Sequence, residues 1–204
     1  MPLDQMHLDL DHLFLEPAVE DQIEEAPESA AVAIRIAKLE LIRVAREENL
    51  RKIFPMLEEG FSYHVISSGD IDALSYLTLI IERHGPIAEL YASTWTMSRE
   101  DCRLIDKYLA DGLIRQITFF TGEYFASRET SVYASLIEVI SRHGGRLKLF
   151  KNHCKLLVMR TTGDRYFTVE GSANFTTNPR SEQTVITPSR QLFDFYKTWF
   201  EDLL

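Results

Sequence analysis

The residues best suited to chemistry in this sequence are His153 and Lys155, a histidine and a lysine two positions apart. On a strand, residues two apart face the same way, so the imidazole and the ammonium would project together. Cys154 would then point to the opposite face. A His-x-Lys triplet occurs often by chance, so on its own it is weak evidence for a site.

A second polar group follows a predicted strand a short way downstream, at Gly171, Ser172 and Asn174. A glycine lets the backbone approach a ligand closely, and a hydroxyl and an amide can hydrogen-bond an anion. A hairpin would bring this turn to the His-x-Lys triplet. The combination predicts a phosphate site, with Gly171 and Ser172 contacting the substrate.

Secondary candidates lie where two earlier strands are predicted to end: Ser67 with Ser68, and Ser93 with Thr94. Ligands of open α/β sheets lie beyond the carboxyl ends of the strands, which makes Ser93 and Thr94 candidate substrate-binding residues. Ordinary capping of the following helices is the alternative, and it is the preferred reading for Ser67 and Ser68. Trp95 could stack on a base but is interpreted as a core tryptophan.

No metal or cofactor is expected. The remaining histidines form no spaced ligand set with cysteines or carboxylates, which argues against zinc; they are His7, His12, His64, His84 and His143. Two cysteines cannot make a disulfide framework and suit a reducing, cytoplasmic compartment.

The elements that would position these residues alternate between strand and helix from residue 61 to residue 143, which implies parallel strands with helices on the faces of the sheet. Four strands with short connections follow, and a helix with an aromatic face ends the chain. The predicted fold class is α/β, with a mixed, mainly parallel sheet flanked by helices. A turn at residues 161–164 predicts a hairpin.

The predicted organisation has three parts. Residues 1–28 form an acidic tail that we expect to be mobile. Residues 29–54, rich in helix formers, are predicted to form one long helix. Residues 55–204 form the α/β domain.

Charge is unevenly distributed. The net charge is −9, yet residues 1–34 hold nine acids and no lysine or arginine, so the remaining 22 acids and 22 bases balance. Residues 142–165 contain seven bases and one acid, a segment that could meet phosphates. A solvated surface is the alternative. No apolar run approaches the length of a membrane span, so no membrane partner is expected.

The triplet His153 to Lys155, the stretch from Gly171 to Thr176, and Glu182 together resemble the phospholipase D superfamily, the H-x-K-D phosphodiesterases. The stretch from Gly171 to Gln183 also resembles uncharacterised prophage and bacterial phospholipase D-like proteins. One position departs from the pattern: the family's aspartate, five residues after the lysine, is Arg160 here.

The resemblance implies a metal-independent phosphodiesterase in which His153 attacks phosphorus and forms a phosphohistidine. Lys155 and Asn174 would hold the non-bridging oxygens, and Ser172 would add a hydrogen bond. Glu182 would accept a proton from the far imidazole nitrogen. Nucleic acid is the favoured substrate.

The resemblance also implies a homodimer, because the mechanism needs a second histidine to protonate the leaving oxygen and this chain has a single His-x-Lys motif. Two-fold pairing would place both His153 side chains in one composite active site. The alternative function is a catalytically inactive phospholipase D-like module for binding or assembly.

Overall fold

The computed structural model describes residues 32–36, 39–44, 47–67, 71–177 and 180–204. The predicted acidic tail, residues 1–28, lies outside them. The described strands are β1 (Val32–Ile36), β2 (Leu39–Val44), β3 (Ser62–Ser67), β4 (Ile87–Thr94), β5 (Ile117–Gly122), β6 (Arg146–Phe150), β7 (Leu156–Thr161), β8 (Tyr166–Gly171) and β9 (Glu182–Thr187). The helices are α1 (Glu47–Ile53), α2 (Ala73–His84), α3 (Arg99–Ala110), α4 (Glu123–Arg128), α5 (Thr130–Arg142) and α6 (Arg190–Asp202).

The described strands form a single mixed sheet in the order β1-β2-β3-β9-β8-β7-β4-β5-β6. β2 pairs with β3, β4 with β5, and β5 with β6 in parallel, and the other neighbouring pairs are antiparallel. Following the pairings across the described sheet, only β1, β7 and β9 run against the other strands. The α/β class and the mixed sheet are confirmed. The sheet is mainly parallel in the sense that six of the nine described strands share one direction, whereas five of the eight neighbouring pairs are antiparallel.

Helices cover both faces of the sheet. Alternate residues of a strand face opposite sides, and on β4 Leu90 and Ala92 pack in the cluster that includes residues of α2, α3 and α5, while Tyr91 packs with α6. Phe200 of α6 is fully buried and its ring lies 5.6 Å from that of Tyr91. Phe193 and Phe200 of the aromatic face of the last helix therefore belong to the core.

The long helix predicted for residues 29–54 is wrong. Residues 32–36 and 39–44 form β1 and β2, and among the described residues of this range only Glu47–Ile53 are helical. The run from Val32 has Val, Ile and Ile at every second position, a strand-like pattern hidden among helix formers. β2 extends the sheet by pairing in parallel with β3, and tertiary pairing of this kind overrides helix propensity.

The β7–β8 hairpin has its turn where the sequence predicts it. Thr161 N donates to Arg165 O at 2.8 Å, and Asp164 N donates to Thr161 O at 3.2 Å. Asp164 adopts φ +58°, a left-handed conformation that aspartate tolerates better than most residues. The turn places two adjacent strands in antiparallel register at the centre of the sheet.

Two buried carboxylates meet where α2 and α3 begin. Asp72 caps α2, its Oδ1 accepting from Leu74 N at 2.8 Å and Ser75 N at 3.1 Å. Asp101 lies in the first turn of α3, with Ser98 as the cap. Burial, followed by repulsion from Asp101, raises the pKa of Asp72 to about 7.

This raised pKa predicts that the protein loses stability as pH rises from 5 to 8. The folded state keeps a proton on Asp72 that the unfolded chain has already released, so unfolding is favoured as pH increases. Urea denaturation should show a smaller loss for Asp72→Asn, which keeps the helix cap. The exposed control Asp202→Asn should behave as wild type, and equal slopes in all three proteins would contradict the assignment.

Candidate functional site

The candidate residues lie along one edge of the sheet. β3, β4, β5 and β8 end at this edge, and the antiparallel strands β7 and β9 begin there, as the pairings of Ser93 with Leu156 and Gly171 with Thr184 show. Ligands of α/β sheets bind beyond such ends. The reversed direction of β7 is what brings His153 and Lys155, which precede it, to the same edge.

His153 and Lys155 contact each other, although they are not on a strand as predicted. β7 begins at Leu156, and the triplet lies in the loop before it. Lys155 Nζ is 3.0 Å from His153 Nδ1 and donates to the His153 carbonyl oxygen at 3.1 Å. His153 is exposed and Lys155 is half-buried. Burial lowers the pKa of the Lys155 ammonium, whereas the charges of Cys154 and Glu182 oppose that shift.

The loop that carries His153 is fastened by Asn152, a buried residue that the sequence reasoning missed. Its Nδ2 donates to Ser93 Oγ at 2.8 Å, and its Oδ1 accepts from Cys154 N at 2.9 Å. Ser93 Oγ donates in turn to Cys154 O at 3.1 Å. A Cβ on Gly122 would come within 2.8 Å of Asn152 O, so the loop packs directly on the end of β5. The preference of asparagine for turns was the available signal.

Ser93 and Thr94 therefore hold other residues of the site in place. This corrects the expectation from the sequence that they contact the substrate directly. Both are completely buried. Thr94 Oγ1 accepts from Phe175 N at 3.3 Å and lies 3.4 Å from Asn174 Oδ1. The Asn174 carbonyl also accepts from Ala73 N at 3.3 Å. These contacts hold the half-buried Asn174 at the edge of the sheet.

Ser172 and Glu182 form a second hydrogen-bonded pair at this edge. Ser172 Oγ donates to Glu182 Oε2 and accepts from Gln183 N at 3.0 Å. Gly171 allows the close approach of β8 and β9, because a Cβ there would lie 2.4 Å from Gln183 O. The glycine thus serves the packing of the two strands as well as lining a groove.

A groove of about 490 Å³ opens beside the His153–Lys155 pair. One wall is polar and the other is aromatic and belongs to α6. Its lining residues are His153, Cys154, Lys155, Leu156, Glu170, Gly171, Phe195, Tyr196 and Trp199. Tyr196 Oη donates to the Glu170 carboxylate, which ties α6 to β8.

Trp95 does not lie in the hydrophobic core, where the sequence analysis placed it. It is half-buried and its ring lies 5.3 Å from the His153 imidazole, centroid to centroid. The Tyr124 ring stacks on the Trp95 ring at a centroid distance of 4.5 Å and an interplanar angle of 16°. Tyr124 belongs to α4, a helix that the sequence reasoning did not predict.

The other described histidines do not join the site. His64 lies within β3, while His84 ends α2 and His143 follows α5, at the opposite edge of the sheet. Burial lowers the pKa of His84 to about 4. His143 Nε2 lies 2.8 Å from Asp106 Oδ1.

Within the described ranges, no group of three or more His, Cys, Asp or Glu side chains is arranged to hold a metal ion. None of the helices in these ranges has the length and apolarity needed to cross a membrane.

Comparison with known proteins gives matches in structure. No family model matches the sequence, and no curated protein does. Polyphosphate kinase from Porphyromonas gingivalis matches with a TM-score of 0.52 and 16% identity, over 76% of this chain and 28% of its own. The phospholipase D family member Nuc from Salmonella typhimurium matches with a TM-score of 0.47 and 15% identity, over 69% of this chain and 93% of its own. Phosphatidylserine synthase from Haemophilus influenzae Rd KW20 matches with a TM-score of 0.48 and 14% identity, over 70% of this chain and 38% of its own.

Of these three matches, the one to polyphosphate kinase has a TM-score above 0.5. At 16% identity it supports a conclusion about the fold alone. This chain spans little more than a quarter of that protein. Polyphosphate kinase is a phospholipase D superfamily member. The described chain therefore has the phospholipase D superfamily fold, as its motif residues indicated.

Proposed function

We propose that this protein is a metal-independent phosphodiesterase that works through a phosphohistidine at His153. The observation that supports this proposal most directly is the contact between the exposed His153 imidazole and the Lys155 ammonium, which lie 3.0 Å apart beside a groove. Asn174 and Ser172 lie at the same edge of the sheet, and we propose that they contact the same phosphate. An open groove with convergent polar groups is typical of a ligand site.

In the proposed first step, an imidazole nitrogen of His153 attacks phosphorus, and the bond to the leaving oxygen breaks as that oxygen takes up a proton. Lys155 and Asn174 stabilise the charge on the non-bridging oxygens. Water then attacks the phosphohistidine and releases the free histidine. Glu182, held by Ser172, is proposed to accept the proton of the far imidazole nitrogen.

Arg160, which replaces the family's aspartate, is compatible with this proposal because it lies far from the site. Five residues of extended strand separate it from Lys155, about 16 Å at ~3.3 Å per residue. Its guanidinium lies 3.8 Å from the Glu89 carboxylate, in a network that docks α6 through Lys197. The reversed charge is thus neutralised away from His153.

Nucleic acid remains the proposed substrate class, although the basic segment supports it less than its composition suggested. Arg142 pairs with Asp106 and Glu138. Arg146 pairs with Glu201 and Arg160 with Glu89. These three bases are paired with acids, so their charges are less available to phosphates than the composition of the segment suggests. Support for nucleic acid therefore comes from the aromatic groups beside His153.

The first prediction tests the catalytic residues. His153→Ala should abolish hydrolysis of bis(p-nitrophenyl) phosphate, and Lys155→Ala should lower kcat by about 100- to 1,000-fold, since an oxyanion donor is lost. Chelator should have no effect. Lys107→Ala, an exposed lysine on α3, is the matched control and should retain full activity.

Two results would contradict this mechanism: activity that survives His153→Ala, or activity that disappears in chelator. A folded wild-type protein without hydrolysis of phosphodiesters or of single- and double-stranded DNA and RNA would instead favour the alternative, a phospholipase D-like binding or assembly module.

We further propose a homodimer with one composite active site, in which His153 of a second copy protonates the leaving oxygen. This assignment is supported by the positions of His84 and His143 at the opposite edge of the sheet and of His64 within β3. Two-fold pairing supplies a second His153 without a second motif.

The dimer prediction is tested by mixing subunits. Sedimentation should give a dimer at micromolar concentration. Co-expression of equal amounts of wild-type and His153→Ala chains should leave about one quarter of the activity, because random pairing yields that fraction of intact dimers. Independent active sites would leave about one half, and an active monomer would also disprove the composite site.

A further inference from the structure

We propose that Trp95 and Tyr124 form a stacking platform for a nucleobase next to the scissile phosphate, so that the protein recognises single-stranded nucleic acid. The inference deepens the proposed function and relies on it for the position of that phosphate. The platform consists of these two rings only.

The platform lies directly beside the reacting group. Trp95 follows the last residue of β4, and its ring contacts the imidazole of His153 at a centroid distance of 5.3 Å. Tyr124, near the start of α4, continues the stack at 4.5 Å with the rings nearly parallel. A phosphate on His153 would therefore have its attached nucleoside alongside two aligned rings.

Neither ring is needed to complete the hydrophobic core. Both described core clusters exclude Trp95 and Tyr124. Trp95 is half-buried and Tyr124 is 47% exposed. Because the two rings stack on each other, a ligand with a flat face can approach an outer face of the pair, and every base has such a face.

A cation accompanies the platform. The guanidinium of Arg128 lies 5.7 Å from the centre of the Tyr124 ring, and its long side chain is exposed. A guanidinium can stack on a base or pair with the next phosphate along a strand. The combination of rings and a cation matches a nucleotide chain.

The geometry favours single strands over the other phosphodiesters. In a duplex both faces of an internal base are covered by its neighbours, so a free face is available only in single strands and at ends. Lipid head groups have no flat aromatic face to place on Tyr124. Binding to lipid vesicles without binding to an oligonucleotide is therefore the result that would contradict this proposal.

The test measures binding without turnover, in a His153→Gln background, with fluorescein-labelled ten-residue oligothymidylate. Fluorescence anisotropy should show about tenfold weaker binding for Tyr124→Ala, the loss expected for one stacked base. Tyr124→Phe should bind normally. Ile137→Ala, which removes an exposed apolar side chain on α5, is the control and should also bind normally.

Two further measurements guard against indirect effects. Tyr124→Leu keeps an apolar side chain but no ring, and it should bind as weakly as Tyr124→Ala while melting at the wild-type temperature. The chain has two tryptophans, so Trp199→Phe leaves Trp95 as the only one. Its fluorescence should be quenched by oligothymidylate and not by inorganic phosphate.

The outcomes separate this inference from the proposed function. Equal dissociation constants for Tyr124→Ala and its parent, or binding to phosphatidylglycerol vesicles without binding to the oligonucleotide, would overturn the platform. Neither result would change the expected hydrolysis of bis(p-nitrophenyl) phosphate, which tests the proposed function separately. Binding that depends on Tyr124 in a wild-type protein without hydrolytic activity would support the platform and overturn the phosphodiesterase.

Discussion

The geometry of the site depends on the hydrogen bonds made by the buried side-chain amide of Asn152. One end of the amide holds the Ser93 hydroxyl and the other holds the backbone of Cys154. Because a buried amide must satisfy both its donors and its acceptor, it permits few orientations of the loop. The positions of His153 and Lys155 follow from this arrangement. A reactive pair on an exposed loop thus gains the rigidity of the sheet beneath it.

The sequence was most informative where the chemistry is local. His153, Lys155 and the turn from Gly171 to Asn174 could be found because their spacing is short and their types are unusual together. Asn152 offered only a turn preference and Trp95 was assigned to the core, since their roles depend on contacts between the end of β4 and the loop before β7, which are about sixty positions apart in the chain. Residue type alone does not reveal which distant strand will be the neighbour.

The two failures at the level of the fold have the same cause. Residues 32–36 and 39–44 combine helix formers with a strand-like alternation of Val and Ile, and pairing within the sheet determines their conformation. The bases of residues 142–165 resemble a phosphate-binding patch, but acidic partners from α3, α5, α6 and β4 neutralise three of them. In both cases tertiary neighbours override what the composition of the segment suggests.

The β7–β8 hairpin turns at the edge of the sheet opposite to His153, about 20 Å away along six residues of strand. Its tip at Gly163 has open space around it, because a Cβ at this position would meet Thr161 Oγ1 as its nearest atom, at 3.8 Å. Extra residues inserted at this tip would extend away from the groove. Gly163 is therefore a natural attachment point for a fluorophore or an affinity tag, one that leaves the chemistry at the other end of the strands undisturbed.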